Sequence, residues 1–399
     1  MAQSGDIDCM GAAPGDEVTM LYQWAGVEEE NLNRVLQPLI DACGITLSPE
    51  SSRDQGLLDT RVQAGTPPDI VFWTFRQAQQ YQDVLVPMTD LGVHEENYAD
   101  FWREAGTLGG EWLALPVKAD PKTLVWYSPV NFEAFGYEVP ATWEELEDLV
   151  EQMVADGNVP WSMGLESGDA TGWTGSDFIQ DILQVKQGPD YVRGIIDGTV
   201  PYDDAGVRNA YELYGAWAAD PAYTVGGAQG TLSTAFLDAI YKVFSDPPEA
   251  MMVEQSGFAG GAIAEQFPEL TYGVDYDFFK VPGADSLQGG TSWMMAFSDE
   301  PAAQALVAYL SSDAGGVKWA EVGFDLTPNS AGTDAYTDPA LLKKAEMLAE
   351  TEDFVPDLGD SIPSGFGNAE WTAIINFLNG ESLDVVLPRA AEVQADATQ

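Results

Sequence analysis

Basic residues are scarce in this chain. Its 399 residues include 16 lysines and arginines against 65 aspartates and glutamates, a formal net charge of −49. Binding nucleic acid means neutralising phosphates with Lys and Arg, so no nucleic acid partner is expected, and an anionic membrane surface is excluded for the same reason. Histidine occurs once, as His94 in LGVHEENYAD. A Ser-His-Asp or Cys-His triad would have to use it, but no Gly-x-Ser-x-Gly elbow accompanies it, so it reads as a surface residue. One histidine and two cysteines make no zinc site. Asp275-Tyr276-Asp277 has the spacing of a calcium-loop fragment without the glycine and closing glutamate. There is no Walker loop, and Gly226-Gly227 and Gly289-Gly290 read as turns. Neither a metal nor a cofactor is expected. No apolar run approaches the roughly 18 residues that span a bilayer.

The start, MAQSGDIDCMGAAPGDE, lacks the basic and apolar regions of a signal peptide and reads as a start codon placed on a mature sequence. The two cysteines are Cys9 and Cys43. Between them lie a strand candidate (17–23) and a helix candidate (28–42). Such a helix runs back antiparallel to its strand, so the cysteines can meet. A disulfide would imply an oxidising, extracytoplasmic compartment; the alternative is two free thiols. The spread of acidic residues suits a solvated surface. It also suits a saline medium, where screening removes self-repulsion.

Apolar and aromatic residues are ample, at 45% and 11%. A prior of about 150 residues per domain gives two or three domains. The first 120 residues alternate strands (VTMLYQ, ITLSPE, PPDIVFW, EWLALPVKA) with helices (28–42, 57–65, 76–84), the pattern of a parallel, doubly wound α/β sheet. From Thr142, the N-cap of a helix ending at Gly157, the chain turns helical: 174–187, 203–219 and 228–244 follow. Strands return at MMVEQ, YGVDYDFFKVP and SWMMAFS. Helices then close the chain at 299–311, 313–322, 338–350, 368–379 and 382–394. The late strand near 292 needs the first sheet, which implies two lobes with several crossings. LPVKADP, FFKVPG and the stretch around GFDLTPNS each hold a proline suited to an extended connector.

Tryptophan is the over-represented residue, with 12 copies. Trp24, Trp73 and Trp293 sit at strand ends, and Trp173 lies in the polar loop SGDATGWTGSD. Ligands of open α/β sheets bind beyond the carboxyl ends of strands, where an aromatic face can cover a sugar ring. The plainer reading of each is a half-buried core aromatic; Trp112, Trp143, Trp161, Trp217 and Trp319 are assigned to packing. Arg53, in SSRDQG, is a ligand donor or a helix-start surface charge. Glu254 and Gln255 close the MMVEQ strand, facing solvent or a cleft. Phe366, before a helix, is cleft wall or packing. In an extended segment Lys118, Asp120 and Lys122 share one side. There Lys122 can compensate Asp120. With 65 acids, a glycosidase-like carboxylate pair cannot be singled out by count.

LYQWAGVEEENLNRVLQPL, AGTPPDIVFW, LPVKADPKTLVWYS, EAMMVEQSGF, YGVDYDFFKVP and GGTSWMMAFS, in that order, resemble the carbohydrate-binding extracellular solute-binding proteins of ABC importers, the maltose-binding-protein-like group. GWTGSDFIQDILQVKQGPDYV and TLSTAFLDAIYKVFSDPPEAMM resemble the alpha-glucoside-binding branch. The resemblance runs roughly from Val18 to Val386. It implies a type II periplasmic-binding-protein fold of two α/β lobes that close on sugar in a cleft. The expected boundaries are 1–117 plus 284–327 and 123–278 plus 331–399, with hinges near 118–122, 279–283 and 328–330. Trp24, Arg53, Trp73, Lys118, Asp120, Gln255, Gly290 and Thr291 match family sugar contacts by position; Trp173, Glu254, Trp293 and Phe366 are added from loop placement. Lys118 stands where some relatives carry an aromatic and Gln255 where some carry Trp, which leaves the sugar open. The implied function is capture of an alpha-glucoside, such as trehalose, maltose or sucrose, by a monomer outside the cytoplasm, for delivery to a permease. The alternatives are a carboxylate-dependent glycoside hydrolase and a binder of another solute such as a polyol.

Overall fold

The computed structural model describes residues 7–52, 54–362 and 365–398. Arg53 lies outside them. The chain divides into two compact units: 1–120 with 291–350, and 121–290 with 351–399.

The strands in chain order are β1 (Glu17–Tyr22), β2 (Thr46–Ser51), β3 (Ile70–Trp73), β4 (Thr107–Leu108), β5 (Glu111–Trp112), β6 (Leu115–Pro121), β7 (Leu124–Tyr127), β8 (Met252–Glu254), β9 (Asp277–Lys280), β10 (Ser286–Ala296) and β11 (Asp353–Pro356). In the first unit β1 pairs in parallel with both β2 and β3, as the alternation of strand and helix predicts. The second half of β10 joins antiparallel to β3, setting Trp293 opposite Trp73. Every residue of β3 is buried, as the continuous apolar run IVFW requires of a central strand. The helix Val27–Cys43 ends at Gly44, whose φ of +67° gives the left-handed cap that glycine adopts without strain. Its last residue, Cys43, is disulfide-bonded to Cys9.

In the second unit β7 is the central strand of a small antiparallel sheet, flanked by β8 and β9. Around it, helices bury an aromatic core. Trp217 packs 5.8 Å from Trp143 and 5.6 Å from Trp161, centroid to centroid. Trp143, Trp161 and Trp217 are at most 5% exposed. Burying such side chains contributes roughly 1.5–3 kcal/mol each. Thr142 and Glu145 form a capping box at the start of helix Trp143–Ala155.

Three local readings change. Gly289-Gly290 is not a turn: both residues lie within β10, and Gly289 pairs with Pro356 of β11, a strand too short to show in the sequence. The helix expected at 228–244 is two, Gly227–Ser233 and Phe236–Phe244, broken where Thr234 and Ala235 turn extended. The passages between units fall at 120/121, 290/291 and 350/351. The first lies within the expected 118–122. The second lies inside β10, because its first half pairs with β11 and its second half with β3. Residues 331–350 accordingly go with the first unit, and the segments 279–283 and 328–330 each lie within one unit.

Candidate functional site

The second unit carries a cavity of about 260 Å³ lined by Lys122, Ala170, Trp173, Ser176, Asp177, Asp357 and Trp371. Gly172 directly precedes the lining residue Trp173. A Cβ there would lie 2.7 Å from Cβ of Trp371, and its φ is +112°, so only glycine lets the two segments approach this closely. Trp173 opens helix Trp173–Gln187, and Trp371 lies in the second turn of helix Phe366–Leu378.

Helix Trp173–Gln187 is buried at every position from Thr174 to Gln184, including Asp177, Gln180, Asp181 and Gln184. Buried polar groups need partners. Gln180 Nε2 donates to the Pro356 carbonyl at 2.9 Å, and its Oε1 accepts from the Leu358 N–H at 2.7 Å. Gln288 Nε2 donates to Asp181 Oδ1 at 2.7 Å. These bonds dock the helix on the end of β11 and so bring Asp357 beside Asp177. Lys122 is placed from the other side. Its N–H donates to the Gln288 carbonyl at 2.8 Å, and Thr123 Oγ1 accepts from the Gln288 N–H at 2.7 Å.

The Lys122 ammonium lies 3.2 Å from Asp177 Oδ1, is ion-paired with Asp357 Oδ2, and stands 5.2 Å from the Trp173 ring centre. Burial pushes the Asp177 carboxyl well above its usual range; Lys122 opposes this, and Asp357 and Asp181 add to it. Among the described residues, three buried polar atoms on this cavity have no hydrogen-bond partner: Ser176 Oγ, Asp177 Oδ2 and Trp371 Nε1. They supply a hydroxyl, an acceptor and a donor, and two indoles share the lining. Leaving such atoms unpaired costs roughly 1–3 kcal/mol each. A ligand bearing hydroxyls would satisfy them.

A second, smaller cavity of about 20 Å³ lies nearby, bounded by Ser162, Thr174, Phe178, Tyr214, Glu254 and Gln255 among others. That volume is about one water molecule. Glu254 Oε1 and Ser162 Oγ are buried there without partners among the described residues. Burial, then the Asp181 and Asp177 charges, push the Glu254 carboxyl well up, against the pull of Lys122. Gln255 Oε1 accepts from the Ser256 N–H at 2.9 Å.

The other expected residues lie as follows. Trp24 is 6% exposed, packed against Phe72 at 5.3 Å and Phe324 at 5.1 Å. Lys118 stands 5.1 Å from the Phe324 ring centre, with its amine 2.8 Å from Glu28 and 2.6 Å from Asp325. Burial alone would lower its pKa, but the Asp325 and Glu28 carboxylates outweigh that and raise it. Trp73 and Trp293 are brought together across β3 and β10, and Trp293 also meets Phe75 and Trp102. Asp120, Gly290 and Thr291 are half-buried at the unit passages. Phe366 is fully buried against Tyr202 and lines neither cavity. Sequence reasoning missed Ser176, Asp177, Asp357 and Trp371. The loop signal around Trp173 reached the first two. For Trp371 the signal was the glycine-rich lead SGFGNAEW.

Comparison with known proteins agrees with the earlier resemblance. Residues 38–349 match the family profile described as bacterial extracellular solute-binding protein. The alpha-glucosides-binding periplasmic protein AglE of Rhizobium meliloti is 34% identical over 395 residues, covering 92% of this chain and 84% of its own. The osmoprotective compounds-binding protein GgtB of Synechocystis is 31% identical over 394 residues, covering 93% of this chain and 92% of its own. Among solved structures, the bacterial solute receptor AcbH superposes with a TM-score of 0.81 at 19% identity, over 98% of this chain and 100% of its own. RafE of Streptococcus pneumoniae superposes with a TM-score of 0.76 at 18% identity, over 98% and 100%. At those identities the likeness shows the fold: the α/β fold of maltose-binding-protein-like solute receptors. The curated relatives are solute-binding proteins and not enzymes.

Proposed function

The chain belongs to the bacterial extracellular solute-binding proteins, and from that membership we propose that it captures an alpha-glucoside for a sugar importer and hands it to a membrane permease. The observation that carries the reading is the cavity of the second unit. Trp173 and Trp371 offer aromatic faces to a sugar ring. The unpartnered Ser176 Oγ, Asp177 Oδ2 and Trp371 Nε1 meet its hydroxyls. The volume of about 260 Å³ lies just under the range of roughly 300–1,000 Å³ for drug-sized ligands, which suits one ring with its substituent rather than a long chain.

The similarity to AglE supports an alpha-glucoside. The similarity to GgtB supports a second reading, a small osmoprotective solute such as a glucosyl polyol. The disulfide fits a site of action outside the cytoplasm. No described helix is long and apolar enough to cross a membrane.

A thermal-shift screen over trehalose, maltose, sucrose and a glucosyl polyol tests the proposal, because a ligand of the native state alone raises the melting temperature. At least one of these should raise it, with no product released on incubation. No response to any of them, or release of free glucose, would refute the reading.

A further inference from the structure

Two indoles and two carboxylates around one small cavity are the ordinary means of holding an organic ammonium ion. Here that position is filled from within the chain. The Lys122 ammonium sits 5.2 Å over Trp173, 3.2 Å from Asp177 Oδ1, and ion-paired with Asp357, all three lining the same cavity. Its backbone is fixed by the hydrogen bond to Gln288. Asp177 and Asp357 are 2% and 5% exposed, so neither charge is compensated by bulk water.

We propose that Lys122 is the specificity residue of this cavity: its amine occupies the ammonium position, so the site refuses cationic solutes and accepts neutral hydroxylated ones. The inference deepens the glucoside reading, but its key step, the latent ammonium cage, does not depend on which sugar binds. With the amine in place, a second cation meets repulsion. The atoms left open, Ser176 Oγ, Asp177 Oδ2 and Trp371 Nε1, can serve a hydroxyl. A quaternary ammonium has no N–H to offer Asp177 and no acceptor for Trp371.

The test is Lys122→Ala, with tetramethylammonium chloride as the probe and sodium chloride at equal ionic strength as the control. The wild-type melting temperature should respond equally to both salts. Lys122→Ala should rise by about 3 °C or more in about 20 mM tetramethylammonium relative to sodium. Adding Asp177→Asn and Asp357→Asn together should remove the rise. Removing the lysine leaves two buried acids facing each other, so Lys122→Ala/Asp177→Asn, with one carboxylate remaining, serves if the single variant does not fold. A wild type that already binds tetramethylammonium, or folded variants that ignore it, would overturn the proposal. If the wild type binds no glucoside yet the variant gains the ammonium, the glucoside reading falls and this one stands. The reverse pattern removes this one alone.

Discussion

Lys118 and Lys122 stand four residues apart on either side of the Asp120/Pro121 passage, and each is held by two carboxylates of its own unit. Lys118 is paired with Glu28 and Asp325, and Lys122 with Asp177 and Asp357. Each also stands over an aromatic ring, Phe324 and Trp173 respectively. One short segment thus anchors a cation into each unit. In the second unit that cation forms part of the proposed ligand cavity.

Trp371 contributes a face and an N–H, and the two can be separated. Trp371→Phe keeps the face and loses the donor. Affinity for the best glucoside should fall about 5- to 10-fold, the worth of one hydrogen bond at about 1 kcal/mol. Trp371→Ala should lose about 100-fold or more, since one stacked aromatic contact is removed as well. Calorimetric titration of both variants reads the difference; equal losses would remove the stacking role.

Among the described residues Glu254 has no cation ion-paired with it, and burial raises its pKa. Below the ordinary carboxyl range both folded and unfolded chains hold its proton, so it contributes nothing to the pH dependence. Above that range the unfolded chain releases the proton while the folded one retains it, so rising pH favours unfolding. Glu254→Gln removes this penalty. The variant should match the wild type near pH 4 and melt higher near pH 8. A change of 1 kcal/mol would appear as about 2–4 °C in a domain this size. Parallel melting curves across pH would contradict the assignment.

The net charge of −49 makes self-repulsion a general cost of the compact state. The Debye length shrinks from roughly 10 Å at 0.1 M salt to roughly 3 Å at 1 M. Melting temperature should therefore climb between those concentrations of sodium chloride. An unchanged value would mean the acidic surface is already neutral in effect.

The Cys9–Cys43 bond closes a 34-residue separation around β1 and the first helix. Chain-entropy arguments give such a loop about 3–4 kcal/mol. Cys9→Ala/Cys43→Ala should lower the melting temperature by several degrees, and adding reductant to the wild type should do the same.

The fold was legible where periodicity was strong. VTMLYQ, PPDIVFW and the capped helix after Thr142 read directly, because short apolar runs and a capped helix with its periodic apolar face are written in neighbouring residues. β11 did not: four residues, DFVP, carry too little pattern, and its partner lies some 67 residues earlier. The site followed the same rule. Trp173 announced itself in a polar loop. Asp177 and Asp357 are two acids among 65, and their common partner Lys122 lies 55 and 235 positions away. Sequence reasoning gave Lys122 a neighbour, Asp120, to compensate; the ion pairs that fix its amine in the cavity come from distant turns of the chain. Phe366, read as cleft wall or packing, is packing: the helix it opens turns that ring onto Tyr202.

The central claim is that the cavity between Trp173 and Trp371 holds a neutral glucoside. Calorimetric titration of the wild-type protein with alpha-linked glucosides, beside Trp173→Ala, tests it most directly. The account predicts saturable binding of at least one of them and a loss of about 100-fold or more in the variant, whose fold is checked by melting. Undiminished affinity in folded Trp173→Ala would contradict it.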